Sequence, residues 1–251
     1  MTLDDHSHGS RPGSAGEHEL QARYGTSSRA LAFYNNQMLD FLNPLMREFI
    51  ARQELVFIAT ADSRGDCDAS IRAGLPGFVR VLDERTLIYP EYRGNGVMAS
   101  LGNILENPRI GMLFPDFQVT TVGLHVNGKA SILENDVVGA SKVMTKSLQT
   151  DARMGDGRKP ERWVQVHVEE AYIHCSKHIP LFEKLDKTIH WGTDNVAHKG
   201  GDFFKAKGDA LAFRSRTATG DRPELDPAPA PDVAQPSLGG DAVNPPLRSE
   251  E

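Results

Sequence analysis

The chain has 251 residues, 39% of them hydrophobic, and a formal net charge of −6. That length supports one sizeable core with tails rather than a string of domains, and the acidic balance excludes a nucleic-acid binder working through a broad basic face. Two cysteines, Cys67 and Cys175, with no apolar leader and no apolar run of membrane length, lead us to expect reduced thiols, a cytoplasmic location and no membrane contact.

Residues 1–24 are polar and rich in Gly and Ser, and are expected to form a flexible N-terminal segment. The ordered body is expected over 25–213. The Pro-, Ala- and Asp-rich stretch 214–251 has too few large apolar side chains to offset the entropy of ordering, so a disordered tail is expected there. Within the body, Leu31, Tyr34, Met38, Phe41, Leu45 and Phe49 recur at spacings of three and four, the face of a helix. Asn43-Pro44 interrupts it; Asn as cap and Pro at the first helical position predict two helices meeting there.

The run LVFIATA (55–61) reads as a buried strand, DSRGD as its turn and CDASIRAG as the partner strand. FVRVL and RTLIYP flank Asp83-Glu84 as a second hairpin. VMASLGNILEN is a short helix stopped by Pro108, and RIGMLF is a strand. TVGLHVNGKASIL alternates, with Val122, Leu124, Val126, Gly128, Ala130 and Ile132 on one side and His125, Asn127, Lys129 and Ser131 on the other, a half-buried antiparallel strand. DVVGASKVMTKSLQ is expected to be helical, and WVQVHVEEAYIHC alternates again. About seven hairpin-linked strands with few helices predict a mainly β fold, a small antiparallel barrel with peripheral helices.

One corner carries chemistry. In YPEYRGNGVMASLGN, a Gly-Asn-Gly turn joins a strand to a helix, and Gly94 to Ala99 formally matches the dinucleotide pattern G-x-G-x-x-A with Asp116 about twenty residues on. The polar run before the glycines and the antiparallel alternation after the helix oppose a Rossmann unit. The physics of the corner does not depend on that label. Backbone amides at 95–98 opening a helix favour an anion, Arg93 adds a fixed charge, and Arg72 on the neighbouring strand reaches the same space. A phosphate monoester is the expected guest.

The succession of the ATAD-x-x-G hairpin, RAGLPGFVRVLD, the GN corner with SLGN on its helix, ENP and VNGKA resembles the pyridoxamine 5′-phosphate oxidase-like flavin-binding family. The resemblance implies a dimeric antiparallel split β-barrel with FMN in a cleft between the subunits of a homodimer. It implies phosphate contacts from Arg72, Arg93, Asn95, Gly96 and Val97, further polar contacts from Ser100 and Asn103, and a backbone through Ile71, Ala73 and Gly74 running beside the flavin ring. It further implies an oxidoreductase acting on a small-molecule substrate by hydride transfer, with NAD(P)H as donor. Members of the wider group bind FMN, the deazaflavin F420 or haem, so a non-catalytic carrier or sensor is the alternative. Gly96, Val97 and Met98 stand where flavin-binding members often carry basic residues, which puts more of the anion binding on backbone amides. Gly123 stands near the place of the flavin-facing glutamine of the vitamin B6 oxidases, and the Pro-rich terminus lacks their Arg- and His-bearing substrate segment, so vitamin B6 phosphate is not the expected substrate. No catalytic acid or base is picked out.

Other residues offer site chemistry on paper. His174, Cys175 and His178 lie close in sequence, but alternation sends His174 and Cys175 to opposite faces of a strand, so no metal site is expected. Cys67 sits between Asp66 and Asp68, which opposes thiolate formation. His125 lies on the polar face of the long strand, a candidate for cofactor contact. Trp163 is expected to pack, and Trp191 to pack or to lid a cleft from the partner chain.

Overall fold

The computed structural model describes residues 11–142, 144–155, 158–193, 195–199 and 201–218. Among the described residues eight strands are formed, β1 Met38–Leu39, β2 Leu55–Ala61, β3 Cys67–Ala73, β4 Arg80–Asp83, β5 Thr86–Glu91, β6 Arg109–Pro115, β7 Gly123–Glu134 and β8 Arg162–His174. All pair antiparallel in the order β3-β2-β6-β7-β8-β5-β4, with β1 added to β8. Inward side chains from β2, β5, β6, β7 and β8, among them Val56, Tyr89, Met112, Val126 and Val166, join a single buried cluster, which a flat sheet could not bring about. The sheet is rolled and open between its edges β3 and β4, the mainly β architecture with peripheral helices that the alternation predicts. An antiparallel sheet also disposes of the dinucleotide label, which requires parallel strands.

Helices α1 Ala15–Arg23, α2 Ser27–Gln37 and α3 Pro44–Ala51 precede the main sheet. The polar opening stretch, expected to be flexible, carries α1 because Ser14 and Glu17 form a capping box and Glu17 also accepts from the Tyr34 hydroxyl. Residues 1–10 lie outside the described residues. Asn43 caps α3, its Oδ1 accepting from Met46 N at 2.9 Å, with Pro44 at the first position, as the Asn-Pro pair predicts. The continuous apolar face from Leu31 to Phe49 is not kept. At Met38 the chain leaves the helix to pair with Tyr172, which breaks the helical phase; Tyr34 and Phe49 are buried while Leu31 and Leu45 face solvent.

Outside the barrel, α5 Asn135–Ala140 and α6 Lys146–Asp151 cover the outer face of β5 and β8, burying Ile88, Val138, Leu148, Ala152 and Trp163. The indole Nε1 of Trp163 donates to Asn135 Oδ1 at 2.9 Å. The single helix expected here is two, because Ser141 Oγ accepts from Met144 N and Thr145 Oγ1 accepts from Leu148 N, local bonds that compete with a continuous helix. Between β5 and β6 runs α4 Ala99–Glu106.

Residues 201–218 belong to a compact unit separate from the barrel's. In it, α7 Ala206–Ala218 starts where the Asp202 carboxylate accepts from Ala206 N and Lys207 N. Residues 214–218 of the expected tail thus belong to a helix, and 219–251 lie outside the described residues. No described helix is long and apolar enough to cross a membrane.

Candidate functional site

The strand–helix corner after β5 opens onto a cavity of about 920 Å³, walled by β3, the corner, the start of α4 and a segment around Trp191. The corner turns on two left-handed residues, Gly96 at φ 84° and Met98 at φ 56°. A non-glycine residue there is strained, and the strain brings α4 abruptly to the cavity. Met98 gives α4 no side-chain cap, so the first-turn amides of Ala99, Ser100 and Leu101, residues lining the cavity, have no capping side chain as acceptor. The expectation of four available amides at 95–98 needs one correction. Val97 N donates to Asn95 Oδ1 at 2.9 Å, a local turn that Asn favours, so this amide is taken by its own loop.

Alternation puts Asp68, Ser70 and Arg72 on one face of β3, all three lining the cavity. Arg72 Nε donates to Glu91 Oε1 at 2.8 Å and its Nη1 to Ser70 Oγ at 2.9 Å. Ser70 Oγ lies 3.1 Å from Ser100 Oγ, and Ser100 Oγ donates to Asp68 Oδ2 at 3.1 Å. Because Ser100 spends its proton on Asp68, the chain of donors runs in one sense from the guanidinium to the carboxylate. Glu91 is buried; burial pushes its carboxyl up, and the Arg72 guanidinium opposes that rise.

Of the residues expected at the site, Arg72, Ile71, Ala73, Arg93, Asn95, Gly96, Val97 and Ser100 line this one cavity. Gly74 and Asn103 do not. A Cβ on Gly74 would stand 2.3 Å from Phe78 Cβ, so packing accounts for that glycine. Asn103 Nδ2 donates to Thr60 Oγ1 at 3.1 Å and ties α4 to β2. The cavity also contains residues that pattern reading passed over. Glu91 is hidden in the polar run before the glycines, and Asp68 and Ser70 precede Arg72 at period two, a signal that was legible. The segment with His190 and Trp191 has no periodicity to announce its place. Trp191, one of whose expected roles was a lid from a partner chain, stands in its own chain's cavity against Tyr92, ring centroids 5.1 Å apart. Burial, with the Asp151 carboxylate adding to it, pushes the Tyr92 phenol up.

His125 lies away from this cavity. Its Nε2 is 2.9 Å from His174 Nδ1, and its ring stacks on Tyr172 at 4.7 Å. Burial and the neighbouring His174 push the His125 imidazole down. Cys67 and Cys175 are free thiols on the surface. Among the described residues no group of three or more His, Cys, Asp or Glu side chains could hold a metal ion.

Asp116, the acid that the dinucleotide pattern would place on a ribose, serves its own loop. Oδ1 accepts from Gln118 N and Val119 N, and Oδ2 from Thr120 N and Thr120 Oγ1. Burial pushes this carboxyl up, but the four bonds outweigh it and hold it at about 2. A depressed carboxyl contributes stability above its unfolded value of about 3.9 that is lost as pH falls through the folded value. We therefore expect Asp116→Asn to cost about 2 kcal/mol at pH 7. Urea unfolding should show the gap to the parent closing between pH 4 and pH 2.

Against known proteins, a family model described as pyridoxamine 5′-phosphate oxidase matches residues 42–175. No curated protein matches the chain. Among solved structures, HupZ of Group A Streptococcus is 26% identical with a TM-score of 0.38, covering 51% of this chain and 90% of its own. HutZ, the haem storage protein of Vibrio cholerae, is 16% identical with a TM-score of 0.37, covering 53% and 93%. General Stress Protein 26 of Bacillus anthracis is 17% identical with a TM-score of 0.35, covering 55% and 94%.

Proposed function

The chain belongs to the pyridoxamine 5′-phosphate oxidase family, and on that premise we propose that it is an FMN-dependent oxidoreductase, a homodimer acting on a small organic molecule with NADH or NADPH as electron donor. The observation that carries the reading is the meeting of Arg72, Arg93 and the Gly-Asn-Gly corner on one cavity of about 920 Å³, a volume in the range of cofactor sites. Arg72 and Arg93 hold the phosphate charge, and the first-turn amides of α4 donate to its oxygens. The Ser70 and Ser100 hydroxyls fix the Arg72 fork, and the backbone at Ile71 and Ala73 lies along the ring. Bound FMN supplies a reversible hydride acceptor; position, electrostatics and exclusion of water are the protein's part. Tyr92 and Trp191 screen one wall of the cavity from water. The edge strand β3 carries Ile71, 55% exposed, and Leu75 follows at 63%; apolar side chains on an open sheet edge suit a second copy of the chain.

A second reading, a flavin, F420 or haem binder without turnover, draws on His190, an imidazole on the same cavity and of the type that holds haem iron. The absorption spectrum of the isolated protein, followed by anaerobic mixing with NADH and NADPH, tests both. Flavin bands that bleach with donor and return with an acceptor support the oxidoreductase. A flavin that no donor reduces, or a Soret band, supports the binder; a colourless protein that takes up neither flavin nor haem contradicts both.

A further inference from the structure

A phosphate group entering this cavity meets a carboxylate as well as guanidinium groups. Glu91 is 9% exposed and engages Arg72 at 2.8 Å, and both side chains are largely withdrawn from solvent. Through Ser70 and Ser100 the other arm of Arg72 is linked to a second carboxylate, Asp68. The positive charge of Arg72 is therefore already balanced at the wall, and an arriving dianion would share a low-dielectric space with a fixed anion.

We infer that Glu91 is a specificity-determining residue of this cavity: it takes up one proton from solvent when a phosphate dianion binds beside Arg72, so the site accepts the anion and a proton together. The inference rests on the reading of the cavity as a phosphate site. Two properties of Glu91 make it the group that gives way. Burial already disfavours its ionised form, with Arg72 opposing. Its neutral acid also keeps a carbonyl oxygen to accept from Arg72 Nε, so protonation does not release the guanidinium.

The other groups facing it do not supply an alternative. On β5, the Tyr89 hydroxyl is buried and, among the described residues, has no hydrogen-bond partner; burial keeps that phenol protonated. On β8, Arg162 stands opposite Glu91 in register and is engaged by Glu134 and Glu161. The corner adds Arg93, and the far wall Lys199, cations that attract the phosphate; of the carboxylates on the cavity, Asp68 is linked to Arg72 only through Ser70 and Ser100, whereas Glu91 engages it directly.

The test is calorimetric titration of FMN into the full-length protein between pH 5 and pH 8, in two buffers of different ionisation enthalpy, with riboflavin as the phosphate-free control. At pH 8 the parent is expected to take up about one proton beyond that due to the phosphate's own titration near pH 6, and less as pH falls. Glu91→Gln, which leaves an oxygen for Arg72, is expected to bind FMN at least about tenfold tighter than the parent at pH 8, with the advantage shrinking as pH falls toward 5 and the extra proton gone. Riboflavin should not distinguish the two proteins. If Glu91→Gln binds FMN as the parent does or more weakly at pH 8, or keeps the proton uptake, Glu91 only braces Arg72 and the inference is overturned, while FMN binding tighter than riboflavin leaves the phosphate site standing. Should the variant fail to fold, the buffer series on the parent decides, and no uptake overturns the inference. Equal affinity for FMN and riboflavin at every pH would remove the phosphate site, and this inference with it.

Discussion

Gly128→Ala should cost about 4 kcal/mol or more of folding stability, read as a lowered urea midpoint. β7 and β8 are the longest paired strands, and at Gly128 their register slips, Asn127 lying opposite Glu170 and Gly128 opposite Val168 with Glu169 left over. At that bulge the two backbones approach so closely that a Cβ on residue 128 would stand 2.0 Å from the carbonyl oxygen of His167. Backbone cannot step aside as a flexible side chain can, so the strands must separate at the centre of the barrel. Gly111→Ala is the control. It is also a strand glycine, but its Cβ would meet Asn127 Oδ1 at 3.4 Å and Ala59 Cβ at 3.9 Å, ordinary contact, and the expected change is below about 1 kcal/mol.

Arg72→Ala should strike stability and binding together. Removing the guanidinium strands Glu91, a carboxylate with little exposure whose partner lay 2.8 Å away, and an uncompensated buried charge is far costlier than the pair was worth. Protonation limits the damage, giving an expected loss of about 2–3 kcal/mol at pH 8. Glu91 is raised by burial in the parent, and losing Arg72 raises it further. A carboxyl with a raised folded value loses stability as pH climbs from the unfolded value of about 4.3 to the folded one, so the penalty should be smallest near pH 5 and grow toward pH 8. FMN affinity should fall by about 1–3 kcal/mol in Arg72→Ala, and similarly in Arg93→Ala. Arg72→Lys keeps the charge but cannot reach Glu91 and Ser70 at once, and should recover only part of either loss.

Where one sequence period governed a segment, the fold was readable. β7 buries Leu124, Val126 and Ala130 on one face, as its alternation predicts, because one side of an antiparallel strand meets the core and the other meets water. The segment from Leu31 to Phe49 shows the limit: its spacing is helical throughout, yet Met38 is drawn off to β8 by a partner more than a hundred residues away. Tertiary pairing overrode local period, which no window of sequence contains.

The site divides the same way. Arg72, Arg93 and Ser100 reach one cavity because strand alternation and a strand–helix corner are local rules, and their joint order carried the family resemblance. Glu91, the acid that engages Arg72, belongs to a pairing across nineteen positions, and Trp191 reaches Tyr92 from a segment without regular structure. Even at the corner, the sequence could not tell that Asn95 would occupy the Val97 amide rather than leave it to a ligand.

The proposed function requires a phosphate to be held where Arg72, Arg93 and the start of α4 converge. Side-by-side titration of the protein with FMN and with riboflavin, followed by flavin fluorescence at fixed pH and salt, isolates that one group. FMN is expected to bind tighter by about 2 kcal/mol or more, some thirtyfold, with the difference shrinking as salt is raised. Equal affinities for the two flavins would contradict it.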